Sequence, residues 1–122
     1  MSNEALGHDI AVCDPETWSL LQQTMSDVLP QLVAFYCEDS PRLLAAMSTA
    51  HSDQTPDVVL RHAHTLKSSS QQLGFLRVAH IASLIETLAG RDEKNSAETI
   101  TRSIAELEIE LARVLALLSE HS

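Results

Sequence analysis

The fold follows from one stretch, Pro56-Asp57-Val58-Val59-Leu60-Arg61-His62-Ala63-His64-Thr65-Leu66-Lys67-Ser68-Ser69-Ser70-Gln71-Gln72-Leu73-Gly74. Within it Val59, Ala63, Leu66, Ser70 and Leu73 step by four, three, four and three. That is the a/d spacing of a helix seam in a bundle, with Ser70 the one polar member. Thr55-Pro56 combines a capping residue with a proline suited to a first helical position, and Gly74 supplies the left-handed residue that ends a helix. The spacing predicts a helix over 56–73. Off the seam, His64 and Lys67 stand one turn apart. An imidazole is a nucleophile near neutral pH, and a fixed cation beside it stabilises an anion built on it.

Similar patterns extend in both directions. Asp14-Pro15-Glu16 opens a short first helix to about residue 25. Asp27 is placed to cap a second, whose apolar residues Leu29, Leu32, Val33, Tyr36, Leu43, Leu44 and Met47 keep helical spacing over most of their length. Pro41 removes a hydrogen bond there, which predicts a kink or a break recapped by Asp39 or Ser40. A fourth helix, about 75–89, turns Val78, Ile81, Ala82, Ile85, Leu88 and Ala89 inward and is expected to stop at Gly90. The longest, about 97–119, carries Ile100, Ile104, Leu107, Leu111, Val114, Leu115 and Leu118 on one face. Residues 1–13 show no clean period and are expected to form a flexible arm ahead of one domain over 14–122. The fold class is all-α: an antiparallel four-helix bundle with an additional short N-terminal helix.

Composition agrees with this reading and narrows the function. A chain of 122 residues, 44% hydrophobic, supports one core, and an aromatic content of 3% suits interdigitating helices better than a β-sandwich. A net charge of -9 repels a phosphate backbone, so nucleic acid is not the expected partner. No Asp or Glu lies between Val58 and Ile85, while Arg61, Lys67 and Arg77 do, which predicts a locally positive segment around the His-Lys pair. The longest run free of Asp, Glu, Lys and Arg is ten residues, short of the roughly 18 apolar residues of a membrane span, so no membrane insertion is expected. The first residues lack the basic start and apolar block of a secretory signal. A cytoplasmic monomer with Cys13 and Cys37 as free thiols is expected.

The stripe around His64 has further members. Lys67, Ser68 and Gln71 fall within about 60° of it on the helical wheel, and small Ser68, Ser69 and Ser70 keep the surface low for a bulky partner. Ser70 is expected to bond back to a helix carbonyl. Folding the third and fourth helices about the turn at Gly74 sets Glu86 abreast of His64. A carboxylate there accepts the Nδ1 proton and leaves Nε2 as the attacking lone pair, while Lys67 faces incoming phosphoryl oxygens. Such transfer needs positioning and charge stabilisation above all, so this set suffices once a partner supplies an acyl phosphate and a metal ion.

Ala63-His64-Thr65-Leu66-Lys67-Ser68 through Gly74, with Leu84 and Glu86 following, resembles the histidine phosphotransfer (HPt) domain family, and the Phe35-to-Leu44 stretch with its proline is also similar. The resemblance covers essentially the whole chain. It implies that His64 accepts a phosphoryl group from the aspartate of one response-regulator receiver domain and passes it to another, in a multistep phosphorelay fed by a hybrid sensor histidine kinase. Mg²⁺ would come with the receiver, and this chain would hold no cofactor. Lys67 would stabilise phosphoryl charge, Glu86 orient the imidazole, and Ser68, Gln71 and Gly74 belong to the binding face. Family members commonly have glycine where this chain has Ser68, and many have glutamine at the place of Glu86. Chemotaxis-kinase phosphotransfer domains look similar in having the acid.

Other chemistries fit less well. Gly7, Gly74 and Gly90 are too dispersed for a phosphate-cradling loop, so autonomous kinase activity is not expected. His62 and His64 point about 160° apart on a helix and cannot chelate one ion. No Glu-x-x-His or paired-cysteine spacing offers a metal site. His8, His51, His80 and His121 read as surface residues. The competing reading is a helical adaptor that binds a receiver or kinase domain through the same face without carrying phosphate.

Overall fold

A computed structural model describes residues 11–91 and 95–120. Five helices account for most of them: α1 (Pro15–Thr24), α2 (Leu29–Ser52), α3 (Pro56–Leu73), α4 (Leu76–Arg91) and α5 (Ser96–Glu120). Helices α2 to α5 pack in a ring, each against the next, with α5 closing onto α2. Short connectors make neighbours antiparallel. The buried stripe of α3 is Val59, Ala63, Leu66, Ser70 and Leu73, and it meets Ile85 and Val78 of α4, Tyr36 and Met47 of α2, and Leu107 and Val114 of α5 in one core. At about 25 cal/mol per Å² of apolar area removed from water, this shared core is what holds otherwise marginal single helices together.

α1 lies outside the ring, against α3. Asp14 caps it, accepting from the Glu16 N–H and from the Thr17 hydroxyl at 2.6 Å. α1 has no fully buried residue and is held at the turn between α3 and α4. The Asp14 N–H donates to the Gly74 carbonyl at 2.7 Å, and Trp18 packs on Phe75 with ring centroids 6.0 Å apart. Gly74 has φ of 83°, and a Cβ there would come within 3.0 Å of Thr17 Cβ, so glycine serves both the helix end and the seating of α1. Residues 1–10 of the expected arm lie outside the described residues, as do His8 and His121. Val12 and Cys13 are half-buried against the core, so packing begins two residues before the cap.

Three local expectations are corrected. Asp27 does not cap α2. Pro30 occupies its first turn, the position its fixed φ favours, and this makes Val28 the N-cap and leaves Asp27 one residue too early. Pro41 does not break α2, which runs unbroken through it. Tyr36 and Ser40 before the proline and Met47 and Ala50 after it are buried in the same core, and that packing outweighs one missing hydrogen bond. Gly90 does not end α4, which continues to Arg91. A Cβ on Gly90 would sit 3.3 Å from Leu60 Cδ1, so this glycine permits close approach of α3 and α4.

Candidate functional site

His64 projects from the middle of α3 beside the buried stripe, and its side chain is 57% exposed. The turn at Gly74 folds α4 back along α3 and brings Glu86 opposite. Glu86 Oε2 lies 2.6 Å from His64 Nδ1, and Glu86 Oε1 accepts from Lys67 Nζ at 2.7 Å. One carboxylate therefore joins histidine and lysine. The hydrogen bond from Lys67 is the largest influence on Glu86, and with the smaller one from His64 it outweighs partial burial and holds the carboxyl below the usual 4.5. An ionised carboxylate only accepts, so the ring must donate from Nδ1. In the neutral ring Nε2 then carries the lone pair, on the side turned away from Glu86.

Lys67 differs from its expected place. Its ammonium is directed at Glu86 and is only about a quarter exposed. Arg77 is likewise matched by an acid from outside its own segment, Glu110 of α5 at 3.5 Å. Of the three cations in the acid-free run, Lys67 and Arg77 are thus compensated by Glu86 and Glu110 once the chain folds, while Arg61 stays exposed.

Ser68 and Gln71 are exposed on the same face as His64, while Ser69 is half-buried with its hydroxyl on the Leu66 carbonyl at 3.2 Å. Gly74 is not on this face: it is buried beneath α1, where Asp14 and Thr17 cover it. Ser70 does not simply bond back to its own helix. Its hydroxyl and that of Tyr36 lie 2.8 Å apart inside the core, and Tyr36 packs on Phe75 at 5.1 Å. Burial pushes the Tyr36 phenol up to about 12. The pair ties α2 to α3 two turns from His64, a reason for a serine in an otherwise apolar seam. His51 is also more engaged than a bland surface residue, with Nε2 at 2.8 Å from Thr101 Oγ1 and 3.1 Å from the Ala97 carbonyl, joining α2 to α5.

Further toward the C-terminal end of α3 than His64, on the edge that faces α2, runs a groove of about 470 Å³. Its wall includes Met25, Leu32, Phe35, Asp39, Ser69 and Gln72. Phe35 is 65% exposed, and Leu20, Met25, Val28 and Leu32 are exposed around it. Of these, Met25, Leu32 and Phe35 share the groove, an apolar exposure of the kind that partners cover. Leu32, counted in the periodic apolar set of the sequence, is exposed here, and the signal the sequence offers is Phe35, which lies off the stripe formed by Leu29, Tyr36, Ser40 and Met47. Among the described residues no helix is long and apolar enough to cross a membrane.

A family model, Hpt domain, matches residues 31–117, which takes in α2 from its first turn, all of α3 and α4, and most of α5. No match was found among curated proteins or among solved structures. Hpt domains are phosphocarriers that meet response-regulator receiver domains in two-component phosphorelays. The helical ring, the exposed mid-helix histidine with its glutamate and lysine, and a match over most of the chain agree: this protein belongs to the Hpt domain family.

Proposed function

We propose that His64 is the phosphoryl acceptor, taking the group at Nε2 from a receiver-domain aspartate and passing it to the aspartate of a second receiver. The donor receiver would belong to a hybrid sensor kinase. The observation that carries this reading is the 2.6 Å contact between Nδ1 and Glu86, which leaves the other ring nitrogen as nucleophile on an open surface. In the forward step the Nε2 lone pair forms the N–P bond as the acyl phosphate P–O bond breaks, and the receiver carboxylate leaves with its electrons. The ring gains positive charge while Nδ1 keeps its proton, and Glu86 stabilises that charge. Lys67 acts first through Glu86, holding its second oxygen. We place the Mg²⁺ with the receiver aspartate, because both oxygens of the nearest carboxylate here are already engaged by Lys67 and His64.

Incubation with a panel of phosphorylated receivers should yield an acid-labile, alkali-stable adduct on the wild type and none on His64→Ala. If wild type and variant both stay unlabelled across the panel, the adaptor reading replaces this one.

A further inference from the structure

The groove between α1, α2 and the C-terminal half of α3 holds one feature that apolar docking alone does not account for. Asp39 is the one charged side chain on its wall, is half-buried, and its carboxylate has no partner among the described residues. Arg42, the nearest cation along α2, is engaged by Glu38 at 3.3 Å. A partner that covers the groove removes Asp39 from water, and a desolvated carboxylate is costly unless a cation meets it.

Position matters as much as charge. The Tyr36–Ser70 bond sets antiparallel α2 and α3 in a register that puts Asp39 level with Lys67, one helical turn from His64. Ser69 and Gln72 form the α3 side of the groove, and the exposed His64, Ser68 and Gln71 follow directly around the helix. Along the two helices Asp39 therefore lies between the apolar contacts at Leu32 and Phe35 and the level of His64.

We infer that Asp39 selects the receiver: the receiver that docks here presents an apolar side chain to Phe35 and Leu32 and, beside it, a Lys or Arg that pairs with Asp39. This rests on the proposed transfer between His64 and a receiver, and it adds which receivers qualify. Apolar contact supplies affinity that many receivers share, whereas the buried charge pair discriminates, because a receiver with an acid or an apolar group at that point leaves Asp39 unpaired. The net charge of -9 favours approach of a receiver with a basic docking face.

The test measures binding and labelling separately, with a panel of isolated receiver domains in Mg²⁺ and this protein as wild type, Asp39→Asn and Asp39→Lys. Because the carboxylate has no hydrogen bond or ion pair among the described residues, both variants should keep the wild-type melting curve. At least one receiver should bind Asp39→Lys about tenfold or more weakly than wild type, with Asp39→Asn intermediate and less sensitive to salt. Changing that receiver's facing Lys or Arg to Glu should restore binding to Asp39→Lys. If no receiver distinguishes wild type from Asp39→Lys, the inference is wrong, even where His64 becomes labelled. If a receiver makes the distinction while His64 stays unlabelled across the whole panel, Asp39 is upheld as selector and the carrier function is removed instead.

Discussion

Replacing Glu86 by glutamine isolates the charge in the triad from its shape. The amide oxygen can still accept from His64 Nδ1, so the ring keeps its tautomer, but the negative charge opposite the imidazole is gone. A hydrogen bond to a charged group contributes about 1.5–3 kcal/mol, and a neutral acceptor roughly half of that. His64 is 57% exposed, which allows water to screen the pair and puts the loss, the difference between the two, toward its low end, about 0.8 kcal/mol. That corresponds to a roughly fourfold slower transfer. The effect must appear in the rate at saturating receiver, because the charge matters most as the ring becomes positive. Glu86→Ala removes the acceptor as well and should be slower still. Single-turnover transfer from a phosphorylated receiver measures the rate, and ¹⁵N shifts of the His64 ring report the tautomer. Rates within about twofold of wild type at saturation, with the tautomer unchanged, would refute electrostatic stabilisation by Glu86.

Lys67→Ala should slow transfer while leaving the bundle folded, and should let the Glu86 carboxyl, followed by ¹³C NMR, titrate higher than in wild type, because Lys67 is the main cause of its depression. The stability this carboxylate contributes is present above its ordinary 4.5 and lost as pH falls through the lowered folded value, so the acid-unfolding limb should steepen less in the variant. Tyr36→Phe and Ser70→Ala should each cost about 1–3 kcal/mol in urea unfolding by stranding the other hydroxyl, and the double variant should cost less than their sum. Tyr36 is the one tyrosine of the chain, so its absorbance should show no ionisation until about pH 12, and its contribution to stability should be complete below 10 and lost as pH rises through 12.

Much of the bundle is legible in the sequence because helical periodicity is a local property. The third helix begins and ends where Thr55-Pro56 and Gly74 put it, and its five seam residues are the five that are buried. Local signals misled where two of them competed or where packing overruled one. Pro30 displaced Asp27 as the marker of a helix start, the core carried α2 through Pro41, and Gly90 proved to serve contact with Leu60. At the site, His64 and Lys67 stand out by spacing alone, and hairpin arithmetic reaches Glu86. The direction of Lys67 does not, because a long flexible side chain chooses its partner only when the neighbouring helix is in place.

By itself the sequence determined the helices, their order, the seam of α3 and the histidine that stands beside it, all of which depend on residues a few positions apart. Tertiary structure decided where charge lies and what Ser70 is for. Folding set Glu86 against Lys67 and Glu110 against Arg77, compensating two of the three cations of the acid-free segment. It paired Ser70 with Tyr36 across 34 residues and left Asp39 unmatched in an apolar groove. Hydrogen bonds and ion pairs depend on distance in space, and in this chain those distances are fixed by how the helices pack.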